Sequence, residues 1–328
     1  MGLVMFKNAV VFRFTKPLGF GLADVERRLG DMVYKAPDKY QSSAAGFESP
    51  LQVAGKSDAP LVVAVDGRWL ISLRSAVRRP KAAEIRARVE EKVADIVESE
   101  SRQVFRRERE TIKDEVIRDL LPNTFPEISV QRAYITPRTG LLIVEASGLN
   151  SAERFCSLLR EAFEGLPLQV VSVLQDVSRH MALWLTNSDS LPKELEIGDS
   201  ADLTHKAGSG AVTFRNEDPT GQEAVSLLQS RYKAKSLSLC TNDDLPGFSF
   251  VLTDELVFKS IKPDSAFNEQ SHYEGEEDDF AAFKAAELDA QLVLFAGVFD
   301  RVFNVLIDAL GGYDSGQEPV TWVPGESV

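Results

Sequence analysis

The order of apolar and polar positions divides the first 75 residues into strands and one helix. Residues 7–18 are rich in Val and Phe and predict a strand. Residues 21–34 place Leu22, Val25 and Leu29 at helical spacing, which predicts an amphipathic helix. Residues 61–76 consist of two apolar runs joined by Asp66-Gly67, the signature of a β-hairpin with a type I′ turn.

A long charged segment follows, and its pattern is helical. Neither Pro nor Gly occurs between Pro80 and Pro122, so a helix can run without interruption. Two apolar stripes lie within it, the first at Val89, Val93, Ile96 and Val97 and the second at Ile112, Val116 and Leu120. A single helix of roughly 40 residues would span about 60 Å, more than a small domain. The segment therefore predicts either a projecting arm or a helical hairpin bent near 99–101.

The remaining pattern returns to strands and helices in alternation. Residues 129–147 predict a strand-turn-strand unit, 150–166 a helix, and 167–175 a strand. A final apolar helix is predicted over 280–312. This order favours an α+β fold with antiparallel sheets and a long projecting helical arm.

The length of the chain and the positions of its turn-forming segments predict four structural parts. They are an N-terminal and central α+β domain (1–75 and 122–180), the helical arm (76–121), a C-terminal α+β domain (181–312), and a disordered tail (313–328).

Composition favours a protein of the cytoplasm. The only cysteines, Cys156 and Cys240, are far apart and form no CxxC pair, which is typical of a reducing compartment. Cys156 falls on the apolar side of its predicted helix and is expected to be buried. Neither a signal peptide nor a run of 18 apolar residues is found, so we expect no membrane partner.

Charge is distributed unevenly along the chain. The net charge is −13, yet residues 1–184 carry 27 Lys and Arg against 24 Asp and Glu, whereas residues 185–328 carry 10 against 26. Charges farther apart than about 8–10 Å are largely screened in physiological salt. A basic surface in the first half is therefore compatible with an acidic protein.

No catalytic motif supports an enzyme. The chain lacks a GxxxxGK[ST] phosphate loop, an HExxH metal motif and a GxSxG elbow, and its three histidines are far apart in sequence. The run of acids between Glu274 and Asp279 could bind Mg²⁺, or it could be a solvated loop that caps the following helix. We expect a protein without catalytic residues, metal or cofactor.

The candidate functional residues lie in the arm, where basic side chains are spaced with the period of a helix. Arg102, Arg106, Arg109 and Lys113 are spaced at i, i+4, i+7 and i+11, which predicts one stripe along a helix. Arg107 and Arg118 belong to the same segment. Such a stripe can track a phosphate backbone without reading sequence. The alternative is an ordinary exposed helix with weak ion pairs.

Phe125 stands between Leu120-Leu121-Pro122 and Pro126, just beyond the end of the predicted helix. Two interpretations remain open at this point. Phe125 could plug the end of the helix against the core, or it could be an exposed aromatic that contacts a partner subunit or DNA.

Three segments together resemble the bacterial recombination-associated protein RdgC family. They are MFKNAVVFRF (5–14), IKDEVIRDLLPNTF (112–125) and DAQLVLFAGVFDRVFNVLIDALGG (289–312). The resemblance extends in order over residues 5–312, and the block before Phe125 is its most specific part.

The resemblance implies a ring-shaped homodimer that encircles duplex DNA without sequence preference, also binds single strands, and restrains RecA-driven strand exchange. It places Phe125 at a subunit contact and the protein at the nucleoid. It also implies that Arg215 and Asn216, in the turn TFRNEDPT, contact DNA. Glu217 departs from this pattern, because an uncharged glutamine is usual there.

Two other function classes remain as alternatives. The acidic C-terminal face could bind a basic protein partner, with the arm serving only dimerisation. The acids at 274–279 could belong to a metal-dependent nuclease.

Overall fold

The computed structural model describes residues 6–17, 19–51, 59–208, 210–242, 247–263 and 280–321. These residues form seven α-helices: α1 (Leu22–Gly30), α2 (Ala82–Glu100), α3 (Arg106–Leu120), α4 (Leu149–Ala162), α5 (Val177–Thr186), α6 (Gln222–Ser230) and α7 (Phe280–Ala309).

The same residues form twelve strands: β1 (Val10–Phe14), β2 (Ser43–Glu48), β3 (Val62–Val65), β4 (Arg68–Val77), β5 (Glu127–Thr136), β6 (Leu141–Val144), β7 (Leu168–Val170), β8 (Leu195–His205), β9 (Ala211–Arg215), β10 (Tyr232–Thr241), β11 (Phe248–Thr253) and β12 (Phe258–Pro263). All pairs between these strands are antiparallel, as the α+β expectation requires.

Seven strands build the first sheet, in the order β2-β4-β5-β6-β1-β7, with β3 also paired to β4. The predicted β3–β4 hairpin is confirmed. Asp66 and Gly67 at its tip both have positive φ, 48° and 72°, as a type I′ turn demands. β4 and β5 are the longest strands of this sheet, at ten residues each, and the helical arm connects them.

One face of this sheet is covered by α1 and α4. Phe12, Ile71 and Ile135 of the sheet share an apolar core with Phe155 and Leu159 of α4. Full burial of each such side chain contributes about 1.5–3 kcal/mol. Cys156 lies in the same core and is completely buried, as its helical position predicts.

Five strands build the second sheet, in the order β12-β11-β10-β8-β9. Ala9, just before β1, exchanges two backbone hydrogen bonds of 2.8 and 3.0 Å with Phe258 of β12, so the N-terminal strand links the two sheets. α7 packs between them, because the Phe295 ring contacts Phe6 on one side and Phe248 on the other, at centroid distances of 5.3 and 6.0 Å.

Helix α7 is long and apolar enough, by length and composition, to cross a membrane. Phe295, Phe299 and Phe303 of this helix are instead buried within the apolar core. The carboxylate of Asp300, in the same helix, accepts hydrogen bonds from Arg68 at 2.9 and 3.2 Å and from the Tyr134 hydroxyl at 3.0 Å. These contacts are those of a core helix that is anchored to the first sheet.

The C-terminal segment corrects one expectation. Residues 313–321, expected to be disordered, lie along the first sheet, where the Asp314 and Val320 amides donate to the carbonyls of Ser172 and Phe14 at 3.1 Å. The buried Arg13 guanidinium donates to the side-chain oxygens of Gln169 and Gln317 at 2.7 and 2.6 Å. Residues 322–328 lie outside the described residues.

The predicted domain boundary at 180/181 falls inside α5. One continuous apolar cluster also joins side chains of the first sheet to α7 and the second sheet. Sequence alone could not anticipate this shared core, because its members are brought together only by folding.

Candidate nucleic-acid interface

The arm is a helical hairpin, which settles the alternative left open by the sequence. α2 ends at Glu100, where Ser101 adopts a left-handed conformation with φ 51°, and α3 begins at Arg106 after a five-residue connection. Val89 of α2 packs against Ile112 and Val116 of α3 in an apolar cluster separate from the two main cores. The arm therefore carries its own small core.

The predicted stripe is wrong at its first member. Arg102 lies in the connection between the helices, because the left-handed residue before it ends α2. Its guanidinium donates to both carboxylate oxygens of Glu108, at 2.7 and 2.5 Å, and to Glu100 at 2.5 Å. These hydrogen bonds raise the pKa of Arg102, and the bond from Arg102 lowers the pKa of Glu108. Arg102 thus ties the connection to the start of α3.

The other three members do share one face of α3. Arg106, Arg109 and Lys113 line a groove between α2 and α3, and Arg86 of α2 joins them across it. Arg106 pairs with Glu110 at 3.3 Å, and Arg109 pairs with Glu90. All four cations are exposed.

Arg86 was missed by sequence reasoning because it lies 20 residues before Arg106. The only signal that could have found it is the return of the chain in a hairpin, which brings the two helices side by side.

Four exposed cations of α2 and α3 have no ion-pair partner within the described part of the chain. Arg107 and Arg118 lie eleven residues apart, so they share a second face of α3. Arg86 and Lys113 are the other two, at the groove. Exposed cations without a carboxylate partner remain available for an anionic ligand.

Phe125 is 91% exposed, so the interpretation of it as a plug against the core is wrong. Its loop is nevertheless held firmly. Arg78 donates to the Thr124 carbonyl at 2.6 Å, and the Thr124 hydroxyl donates to the Leu120 carbonyl at 2.9 Å. Ile128, three residues further on, is also exposed. A fixed loop with exposed apolar side chains is typical of a protein contact surface.

Arg215 is the exposed last residue of β9 in the other sheet, and Asn216 begins the exposed turn that follows. Asn216 has φ 54°, a left-handed conformation that Asn tolerates better than most residues.

The described residues offer no metal site. They contain no group of three or more His, Cys, Asp or Glu side chains that could hold a metal ion. The acidic run at 274–279 lies outside the described residues.

Comparison with known proteins agrees with the resemblance in the sequence. The family model described as "Putative exonuclease, RdgC" matches residues 4–313. The chain belongs to the RdgC family. The recombination-associated protein RdgC of Pseudomonas aeruginosa (strain LESB58) is 31% identical over 315 residues, which cover 95% of this chain and 99% of that protein. The RdgC protein of Shewanella oneidensis is 29% identical over 313 residues, with the same coverage.

Proposed function

We propose that this RdgC-family protein binds DNA independently of sequence and acts in recombination by occupying DNA. It would form a ring-shaped homodimer around duplex DNA, also bind single strands, and restrain RecA-driven strand exchange at the nucleoid. The observation that carries the proposal is the set of exposed arm cations without ion-pair partners. The family's recombination-associated name supports it.

Phosphate contacts by these cations would make binding depend strongly on salt. If four to six phosphates are neutralised, log K falls with log salt with a slope of roughly −4 to −5 for duplex DNA. None of these contacts reads a base edge, so affinity should be the same for duplexes of different sequence.

Fluorescence anisotropy with two unrelated 30-base-pair duplexes at several salt concentrations tests this proposal. The variant Arg107→Gln/Arg118→Gln should weaken binding to both duplexes alike and reduce the salt slope by roughly 2. The control is Arg154→Gln, an exposed arginine of α4 outside the arm. An unchanged slope in the arm variant would remove the arm from the DNA interface.

Phe125 is the proposed subunit contact. Phe125→Ser should weaken self-association, because it removes an exposed ring from a fixed loop without disturbing the core. Sedimentation at several protein concentrations measures this effect, with the exposed Tyr40→Ser as control. Equal dimer affinity in wild type and Phe125→Ser would contradict the assignment.

A second candidate is the exonuclease activity named in the family description. Incubation of end-labelled duplex and single-stranded DNA with the protein and Mg²⁺ distinguishes the two. Release of labelled nucleotides would favour the exonuclease, whereas intact DNA in a stable complex would favour a binding protein.

A further inference from the structure

The outer face of the five-stranded sheet is open among the described residues. α7 packs against the inner face, where Leu237, Phe250 and Phe258 belong to the main core. The outer face forms a trough of about 900 Å³ whose floor consists of small residues: Gly198, Ser200, Ser236, Ser238, Ser249 and Ser260. A floor of such small side chains allows a ligand backbone to approach the sheet closely.

Ser238 is the central observation. It is only 7% exposed and lines the trough, and its hydroxyl has no hydrogen-bond partner among the described residues. Gly198 lies so close that a Cβ added there would be 2.4 Å from the Ser238 Oγ. The neighbouring hydroxyls of Ser236 and Thr213 instead donate to Asp202, at 2.9 and 2.7 Å. Ser238 is therefore a largely buried residue whose hydroxyl is open to the trough and free to bond to a ligand there.

The walls of the trough carry more negative than positive charge. Asp199, Asp202, Glu217 and Asp218 line it, against Arg215 and Lys262. Asp199 and Glu217 are exposed and have no ion-pair partner within the described part of the chain. Burial, together with the nearby charges of Asp199 and Glu196, raises the pKa of the Cys240 thiol in the same trough.

Arg215 and Asn216, which the family resemblance assigns to DNA, lie at the rim of the trough, but its other features do not fit nucleic acid. Carboxylates on the walls repel phosphates, and the two aromatic residues of the lining, Phe214 and Phe250, bury their rings in the main core and cannot stack on bases. An extended polypeptide with lysine or arginine side chains fits better, because its amides can bond to the serine hydroxyls and its cations can pair with the carboxylates.

We propose that this trough is a docking site for an extended, basic polypeptide segment. The site is separate from the arm and does not depend on DNA binding there. It would give the protein a second type of partner, held by its acidic C-terminal half.

The test uses the full chain and a fluorescein-labelled peptide, (Lys-Gly-Ser)₄, in an anisotropy titration. Wild type should bind it, and Asp199→Lys/Glu217→Lys should weaken binding by about tenfold, the effect of roughly 1.4 kcal/mol. The matched control, Glu161→Lys/Asp189→Lys, changes the net charge equally at exposed sites outside the trough. It should bind within about twofold of wild type.

Ser238→Leu tests the floor, since it fills the trough without changing charge. It should weaken binding while circular dichroism remains that of wild type; if this variant unfolds, the charge variants decide alone. Each of three results would overturn the proposal. They are no peptide binding by wild type, equal weakening in the trough variant Asp199→Lys/Glu217→Lys and its control, and full binding by folded Ser238→Leu. The oligonucleotide dT₁₂ is added as a competitor to the arm variant Arg107→Gln/Arg118→Gln. If dT₁₂ still displaces the peptide in that variant, nucleic acid binds in the trough and the proposal is overturned.

Discussion

Replacement of Asp300 by alanine should lower the free energy of unfolding by about 3 kcal/mol. Asp300 anchors α7 to the first sheet, with its side chain only 21% exposed. Removing one partner of a buried pair costs about 3–5 kcal/mol, because the remaining polar groups lose their compensation. The expected value is the low end of that range, for two structural reasons.

First, Arg68 keeps a partner, since Asp66 lies 2.6 Å from its guanidinium. The cation is therefore not left alone, although Asp66 is 64% exposed and such pairs contribute less than about 1 kcal/mol. Second, burial raises the pKa of Asp300, which shows that the folded protein desolvates the carboxylate at a cost. Replacing Asp300 by alanine removes that cost and offsets part of the loss. The main loss is the hydrogen-bond acceptor of the Tyr134 hydroxyl. Tyr134 is completely buried, and a buried hydroxyl left without an acceptor costs about 1–3 kcal/mol.

Urea denaturation followed by the fluorescence of the buried Trp69 and Trp184 measures the effect. Asp66→Ala is the matched control and should cost less than about 1 kcal/mol. A double-mutant cycle of Asp300→Ala with Tyr134→Phe should give a coupling of about 1 kcal/mol, since the two groups share a hydrogen bond. The reasoning is refuted if Asp300→Ala costs no more than Asp66→Ala.

Three further predictions follow from single sites. Because the pKa of Asp300 is raised above its ordinary value of 3.8, the folded state retains this proton at a pH where the unfolded state has released it. The resulting stabilisation is complete below about pH 3.8 and is lost as the pH rises through the raised pKa. The stability of wild type relative to Asp300→Asn should therefore fall with rising pH in urea titrations, and a rising difference would contradict the assignment. Gly140→Ala should expose residues 313–321 to proteolysis and lower the free energy of unfolding by about 1–2 kcal/mol. The reason is that Gly140 has φ 65° and that a Cβ there would be 2.2 Å from the Val320 carbonyl oxygen. Protection from proteolysis equal to that of wild type would contradict this. Burial raises the pKa of Cys156 to about 12, so a thiol reagent should modify the half-buried Cys240 first under native conditions. Modification of Cys156 before Cys240 would be inconsistent with the fold.

Much of the local structure could be predicted from the sequence. The β3–β4 turn follows from Asp66-Gly67, since these residues tolerate the positive φ angles of a type I′ turn. The bend of the arm was expected near residues 99–101 and occurs at Ser101. Burial of Cys156 follows from its position on the apolar side of α4.

The candidate interface could be predicted only in part. Helical periodicity placed Arg106, Arg109 and Lys113 together but also included Arg102, because the spacing continues across the point where α2 ends. Arg86 joins the group through the packing of α2 on α3. Where the side chains of two helices meet depends on contacts between residues far apart in sequence.

By itself, the sequence determined several of the helices and strands, where the cations concentrate, and which family the chain resembles. These properties depend on neighbouring residues or on the order of residues along the chain. Only the tertiary structure decided that Phe125 is exposed and that serines of four strands form one trough, with Ser238 at its centre. The physical reason is that exposure and the pairing of strands depend on which distant surfaces are buried together when the chain folds.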